Sequence, residues 1–548
     1  MKRDLSFLEH APRGQYFAKK QGALAPPLPY AAVADKLPQP VLTARPNWVA
    51  CYHYAAKILF RNTHTPAPGS GYVSNFVDAA FNKDIFLWDT CFMTMFCNLF
   101  HPYVPGICSL DNFYAKQFED GEIPREMVRD TGKDFPLWVN AYGAPLYSYF
   151  HNDYGYRGLA SVKDLDYKDF YKPKLGRTPA QAPYLTLDNL NHPILALAEW
   201  ESYLQTGDVD RLALVAEPLW QYYRAFREQL RHASGLYVTD WASMDNSPRN
   251  KYLGLGVDIS CEMVMLAQNL LDIFAVLEGA GRPVAGAVQR AESLKAEMRQ
   301  TADAIQTYMW NERDGFFYDV TDDLKQVGIK TAAAFWALIA GVATPRQQQC
   351  LYRWLDDPAT FYRAHRVPVL AANEEGYDPK GGYWRGSVWA PINTMVVLGL
   401  EHCGNSALAA EIALNDLDAV AKVFDDTGTI WENYPPDFID SGNSDHPDMV
   451  GWSGMAPIRF LMEYAVGLRM TGPDHTLAWM LRPEFLADGG KIGCQNYWFC
   501  GKTADFLAER QADGVHISIR TKDAFALVLR CAGQEKRLAI QGDTDLVL

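Results

Sequence analysis

The segment T-D-W-A-S-M-D-N-S-P-R (239–249) crowds Asp240, Asp245, Asn246 and Arg249 beside Trp241. On its own it reads either as a helix-capping loop in which Asp245 pairs with Arg249, or as a carboxyl held among aromatics. Burial of that kind raises a carboxyl pKa and keeps a proton available near neutrality. A second segment, T-I-W-E-N-Y-P-P-D (429–437), sets Glu432 between Trp431 and Tyr434 just before a loop-breaking Pro pair. It suits a satisfied rim residue or a catalytic base. Two carboxylates facing each other across a sugar ring are what glycoside hydrolysis requires, one protonating the leaving oxygen and the other activating water or attacking carbon.

Three further segments have the composition of substrate walls. L-W-D-T (87–90) precedes an apolar helical stretch, so Asp89 is either its N-cap or a ligand for sugar hydroxyls. D-G-E-I-P-R-E (120–126) places Arg125 and Glu126 after a proline, and G-G-Y-W-R-G-S-V-W-A-P (381–391) combines glycines with Tyr383, Trp384, Arg385 and Trp389. Indole faces stack on sugar C–H surfaces, and planar Arg forks grip vicinal hydroxyls. Each segment alone is more often a capping or packing motif; together they point to a carbohydrate site.

These loops need a scaffold that brings distant segments together. From about residue 47 to 470 the dominant period is helical. Residues 258–278 show it, with Asp258 as the expected N-cap, Met263, Leu266, Leu270, Phe274 and Leu277 at three- and four-residue steps, and Gly279, Gly281 and Pro283 closing the run. Further helices are predicted over 47–61, 88–100, 194–204, 287–309, 331–342, 388–402, 405–424 and 453–470, and another follows the TGD turn (206–208) through Leu212, Val215, Leu219, Tyr222 and Phe226. Short turns favour antiparallel hairpins arranged in a ring, and the absence of a fixed repeat weighs against a solenoid. Residues 1–46 are Pro-rich and aperiodic, an arm laid over the main body. Alternation at Val515, Ile517 and Ile519, followed by AFALVLRC and KRLAIQG, predicts a small β unit over 475–548. The domain reading is therefore 1–46 arm, 47–474 helical catalytic domain, and 475–548 β unit.

Composition sets the outer bounds. A chain of 548 residues exceeds what one ordinary core fills, so two units or one closed architecture are expected. The net charge of −14 argues against nucleic acid, which demands a basic footprint. No uninterrupted apolar run is long enough to span a bilayer, and no membrane partner is expected. The start, MKRDLSFLEH, lacks the apolar core of a secretory signal, and the ten Cys form no CxxC pair. Both observations predict a cytoplasmic protein with reduced thiols (periplasmic, had a leader been removed) and no metal site. Aromatics reach 13%, and six of the 15 Trp, namely 88, 241, 384, 389, 431 and 452, fall in or beside the motifs.

In this order the WDT, DGEIPRE, SMDNSPR, YWRGSVW and WENYPPD segments resemble those of the (α/α)6-toroid (six-hairpin) glycosidases of the trehalase and glycoside hydrolase family sixty-three type, including the bacterial mannosylglycerate-hydrolase-like members. The resemblance spans about 75–470, and M-W-N-E-R-D-G-F-F-Y-D (309–319) and GWSG (451–454) fit it too. It implies a mainly α fold, an (α/α)6 toroid with a small C-terminal β unit. It implies that Asp245 is the general acid, that Glu432 is the general base, and that the anomeric carbon inverts. It also implies that Trp88, Asp89, Arg125, Glu126, Trp241, Asn246, Arg249, Tyr383, Trp384, Arg385 and Trp389 line the sugar site. Asn189 and His192, in D-N-L-N-H-P (188–193), occupy a stretch where such proteins contact substrate, though His192 reads equally as an N-terminal helix residue, and Trp452 closes the pocket. Two departures stand out. The lead-in to WDT is FNKDIF rather than a PGGRF-type segment, which argues against trehalose, and Met244 replaces the usual Trp before the catalytic Asp.

The sequence thus predicts an exo-acting inverting hydrolase of an α-linked gluco- or manno-configured di- or oligosaccharide or small glycoside, needing no cofactor. Inversion predicts about 6.5–9.5 Å between the two carboxyl groups. The competing readings are a sugar isomerase or epimerase, an inverting phosphorylase, a polysaccharide lyase on the same helical architecture, and a non-catalytic carbohydrate-binding protein.

Overall fold

Every residue of the helix Leu87–Cys97 except Trp88 is buried, whereas Ala287–Ala304 buries only Leu294, Thr301 and Ala304. A helix apolar all round belongs inside a larger helical assembly, and one with a narrow buried stripe belongs on its outside. This contrast organises the computed structural model, which describes residues 16, 24–118, 121–133, 139–141, 185–187, 192–238, 244, 246–249, 254–321, 323–442 and 446–548.

In chain order the described helices used below are α1 (Pro46–Arg61), α2 (Leu87–Cys97), α3 (Leu195–Thr206), α4 (Val209–Gln229), α5 (Val257–Gly279), α6 (Ala287–Ala304), α7 (Trp336–Ile339), α8 (Pro345–Leu355), α9 (Ala390–His402) and α10 (Ser406–Thr427). A wide-turned π-helix, Met455–Val466, follows them and is called here the closing helix. Packing runs α2 on α3, α3 on α5, α5 on α7, α7 on α9, α9 on the closing helix, and the closing helix back on α2. Outside this closed sequence, α4 and α6 lie on α5, α10 lies on α9 and the closing helix, and α1 lies on α10 and the closing helix. Among the described residues, α5 alone is long and apolar enough to cross a bilayer, but 72% of its most apolar window is buried against its neighbours. It is a wall of the ring.

The strands used below are β1 (Gln39–Leu42), β2 (Asp84–Phe86), β3 (Glu126–Val128), β4 (Leu468–Met470), β5 (Leu477–Leu481), β6 (Lys491–Phe499), β7 (Lys502–Gln511), β8 (Gly514–Thr521), β9 (Ala524–Cys531), β10 (Gln534–Gln541) and β11 (Thr544–Val547). One sheet has the order β1-β6-β7-β8-β11 and a second the order β4-β5-β9-β10, in which β5 and β9 run parallel.

Several expectations are corrected here. The described part of the N-terminal arm is not merely laid over the body, because β1 joins the C-terminal sheet with Val41 opposite Gly493. The helix predicted to run to 470 stops at Val466. Gly467 takes a left-handed φ of 88°, and a Cβ there would meet the Met480 carbonyl at 2.2 Å, so the chain turns and enters β4. Strand β4 accordingly starts at Leu468. The 331–342 helix is a 3-10 turn, Ala332–Phe335, followed by the single turn of α7. Helix α8 is absent from the expected elements, although Thr344 and Gln347 form a capping box around Pro345.

Candidate active site

The motif residues gather at the N-terminal ends of the ring helices. Trp88 and Asp89 lie in the first turn of α2, His192 just before α3, Asp258 in the first turn of α5, Trp389 at the N-cap of α9, and Trp452 just ahead of the closing helix. Helix N-termini present unpaired N–H groups and a partial positive charge, which favours carboxylates and ligand oxygens there.

The aromatic side chains form one connected wall. His192 stacks on Trp88 at 4.5 Å between ring centroids, and Trp88 meets Trp452 edge-on at 5.7 Å and Trp384 at 6.2 Å. Trp384 stacks on Trp389 at 4.3 Å and 7°, and Trp389 meets Trp452 edge-on at 5.6 Å. Tyr383 packs edge-on against Trp389 at 4.9 Å, on a left-handed backbone with φ 64°. A bulky residue held at positive φ marks a backbone that its surroundings over-determine.

Backbone pairing aligns the loops behind that wall. The Leu87 N–H donates to the Arg125 carbonyl at 2.8 Å, and β2 pairs with β3 so that Phe86 faces Glu126, which brings WDT beside DGEIPRE. The Val388 and Tyr434 main chains exchange hydrogen bonds at 2.8 and 3.2 Å, joining YWRGSVW to WENYPPD. The Trp452 indole N–H and the Ser453 hydroxyl both donate to the Glu432 carbonyl, at 3.3 and 3.1 Å. Glu432 itself is 1% exposed.

The SMDNSPR loop is tied in by Asn246. Its amide N–H donates to the Gly382 carbonyl at 3.0 Å, and its oxygen accepts from the Trp384 N–H at 2.8 Å. Both amide atoms are engaged with backbone, so Asn246 acts as a clasp between two loops. Arg249 is tied in by side chains. Its guanidinium is buried between Asp258, at 2.7 Å, and Asp319, at 2.8 Å, and also approaches the Met244 sulfur at 3.6 Å. Burial alone would raise the Asp258 carboxyl, but the Arg249 charge outweighs it and holds that group below its ordinary range. Burial raises the pKa of Asp319, the more so beside Asp258. Asp258 is not the N-cap of α5; Gly256 is, because the Asp258 side chain turns to Arg249. Asp89 is not a cap either, since Phe86 caps α2.

Arg125 and Glu126 are buried beside α2, and Arg385 is half-exposed on the loop rim, 3.4 Å from Asp378. The Asp84 carboxyl on β2 is raised by burial and hydrogen-bonds Glu126. Asp245, Trp241 and Asn189 lie outside the described residues.

Two residues that sequence reasoning does not single out take part. Glu262, on α5, accepts from the Trp336 indole at 2.9 Å and lies 2.9 Å from His192 Nδ1. Burial pushes its carboxyl up, and His192 opposes the rise. Glu262 lies one helical turn beyond Asp258, a charge inside the apolar run of α5, and that is the available signal. The second is His446, whose Nε2 stands 4.0 Å from Glu432 Oε2.

Residues 177–444 match the family described as the mannosylglycerate hydrolase MGH1-like glycoside hydrolase domain. An uncharacterized protein of Borreliella burgdorferi is 26% identical over 306 residues, which cover 53% of this chain and 62% of that one. A cytosolic neutral trehalase of Neurospora crassa is 28% identical over 156 residues, 28% of this chain and 21% of the trehalase. The chain thus spans less than two thirds of the length of these relatives. Among solved structures, a GH63 mannosylglycerate hydrolase from Thermus thermophilus in complex with glucose aligns with a TM-score of 0.53 at 15% identity, covering 75% of this chain and 99% of that one.

Proposed function

We propose that this chain, a member of the mannosylglycerate-hydrolase-like and trehalase-like group of glycoside hydrolases, is an exo-acting, inverting hydrolase of an α-linked gluco- or manno-configured di- or oligosaccharide or small glycoside. The ring of helices within 47–474 is read as its (α/α)6 catalytic toroid, with the C-terminal strands as an ancillary unit. The observation that carries the reading is the convergence on Glu432. Its loop is held by Trp452, Ser453 and Val388 beside the stacked indoles, and the residue is buried. A carboxylate in such a place suits a base whose direction is fixed before substrate arrives.

In this mechanism a sugar ring stacks on the Trp88–Trp384 wall. Glu432 removes a proton from a water on one face of the anomeric carbon, and Asp245 protonates the departing glycosidic oxygen on the other. The carbon–oxygen bond breaks as the water oxygen bonds, so the product sugar leaves with inverted configuration. Asp89 and Arg125, buried beside Trp88 at the start of α2, supply hydroxyl contacts, and His192, oriented by Glu262, supplies another. The indole N–H of Trp88 has no acceptor among the described residues, a donor that a sugar hydroxyl suits.

The test is a screen of α- and β-linked disaccharides and glycerate glycosides, with the product anomer followed by proton NMR. An α-linked substrate yielding the β-anomer first is expected, and Asp245→Asn and Glu432→Gln should each lower turnover by at least about 10³-fold. Near wild-type hydrolysis by both variants would overturn the assignment.

A further inference from the structure

Glu432 and His446 face each other because their backbones are paired. Trp431 and Pro447 form an antiparallel bridge, and the Met449 N–H donates to the Ile430 carbonyl at 3.0 Å. His446 is seated from the other side by Phe81, whose ring meets it edge-on at 4.7 Å. The Phe81 segment is fixed in turn at Gly451, where a Cβ would meet the Ala79 carbonyl at 2.2 Å. The His446 side chain is 43% exposed while that of Glu432 is 1% exposed, so the imidazole stands at the open edge of a buried carboxylate.

The separation of 4.0 Å between His446 Nε2 and Glu432 Oε2 is too long for a direct hydrogen bond. It fits one water oxygen bonded to both, at about 2.8 Å from each. A carboxylate alone sets how far a water lies from it but leaves its direction free. A second anchor on an independently packed residue fixes the lone pair that must meet the anomeric carbon. An imidazole serves because a ring nitrogen can accept from the water or donate to it.

We infer that His446 is the second anchor of the nucleophilic water, and therefore a catalytic residue for water attack; this rests on the reading of Glu432 as the base. Losing the anchor slows attack without changing how the sugar binds. It also alters the reverse reaction. With a β-glycosyl fluoride and an acceptor sugar, the carbon–fluorine bond breaks on the Glu432 side. The acceptor oxygen bonds from the opposite face, its proton passes to Asp245, and an α-linked product forms. The wild-type enzyme hydrolyses that product, whereas an enzyme that holds water poorly lets it accumulate.

The test compares His446→Ala, His446→Gln and Glu432→Gln in the full chain, using the best disaccharide from the screen and β-D-glucosyl and β-D-mannosyl fluoride. Both His446 variants should keep the wild-type melting transition and a KM within about twofold, with kcat lowered about 10- to 100-fold. His446→Ala should accumulate α-linked transfer product. If kcat stays within twofold and no product accumulates while Glu432→Gln is inactive, the water-anchor role is overturned and the base assignment stands. If Glu432→Gln remains active, the base assignment fails and the inference falls with it.

Discussion

Asn246 holds Trp384 by its backbone: the amide oxygen accepts from the Trp384 N–H at 2.8 Å while the amide nitrogen donates to the Gly382 carbonyl at 3.0 Å. The loop that carries Asp245 is thereby locked to the loop that carries the stacked Trp384–Trp389 pair. A side chain next to the proposed acid sets the position of an aromatic wall built from another part of the chain.

That clasp predicts a separation of activity from stability. Asn246→Asp keeps an acceptor for the Trp384 N–H but places a carboxylate oxygen against the Gly382 carbonyl. Asn246→Ala loses both bonds. Each lost bond costs about 1 kcal/mol of stability, within the usual range for a net hydrogen bond. Turnover should fall further, by about 10- to 100-fold, since small displacements of positioned groups are costly. Urea unfolding and steady-state kinetics on the same preparations check both figures. A variant that loses stability but keeps wild-type kcat would show that the clasp does not set the site.

Arg249 gives the opposite pattern. Removing its charge by Arg249→Met leaves Asp258 and Asp319 buried together without a counter-ion, and breaking such a pair costs about 3–5 kcal/mol. Most of that loss should return in the triple variant that also carries Asp258→Asn and Asp319→Asn, because neutral amides remove the stranded charge. Chemical denaturation of the single and triple variants reads this directly. Recovery of less than half would mean that Arg249 acts chiefly through packing.

How legible all this is in the sequence depends on the kind of signal. The ring helices are readable because their apolar residues recur at helical spacing, as at Met263, Leu266 and Leu270, and the motifs name most of the residues that meet at the ring mouth. Partnership is not readable. Asn246 and Arg249 have side chains that suit sugar hydroxyls, and only coordinates show that backbone and carboxylates already occupy them. His446 sits in a polar loop with no periodicity, and its place beside Glu432 comes from a backbone bridge between Trp431 and Pro447 that no local pattern announces. The end of the closing helix has a signal in Gly467, but the surrounding apolar residues continue the helical rhythm through it. A close approach by the Met480 carbonyl decides the outcome.

The indole stack supplies a stability prediction. Trp389 is fully buried, face to face with Trp384 and edge-on to Trp452 and Tyr383. Trp389→Ala should cost about 3–5 kcal/mol, the range for emptying a large aromatic site. Trp389→Phe keeps an aromatic ring in the stack and should cost less. Trp384→Ala should also weaken sugar binding, seen as a higher KM, because its ring continues the wall toward Trp88. Thermal unfolding followed by near-ultraviolet circular dichroism, which senses coupled indoles, reports the loss of the stack separately from the loss of the fold.

The joint between the helical ring and the C-terminal strands should respond to acid. Arg469 on β4 grips Glu401 on α9 through both nitrogens of its fork, at 2.6 and 3.0 Å, and the Ser406 hydroxyl adds a bond at 2.6 Å. Burial alone would raise the Glu401 carboxyl; the hydrogen bonds and charge of Arg469 outweigh it, and the group lies below its ordinary value. A carboxyl whose pKa is lower in the folded state binds fewer protons there than in the unfolded chain. Its contribution to stability is therefore fully present above the unfolded value and is lost as pH falls through the folded one. With an unfolded value of about 4.3, the loss should begin below about pH 5 and deepen toward pH 3. Glu401→Gln removes this term, so its stability should be lower than wild type at neutral pH and should converge on it in acid. Urea midpoints from pH 7 to pH 3 for the two proteins test the sign: a gap that widens in acid would mean that Glu401 is not the group through which Arg469 holds the strands to the ring.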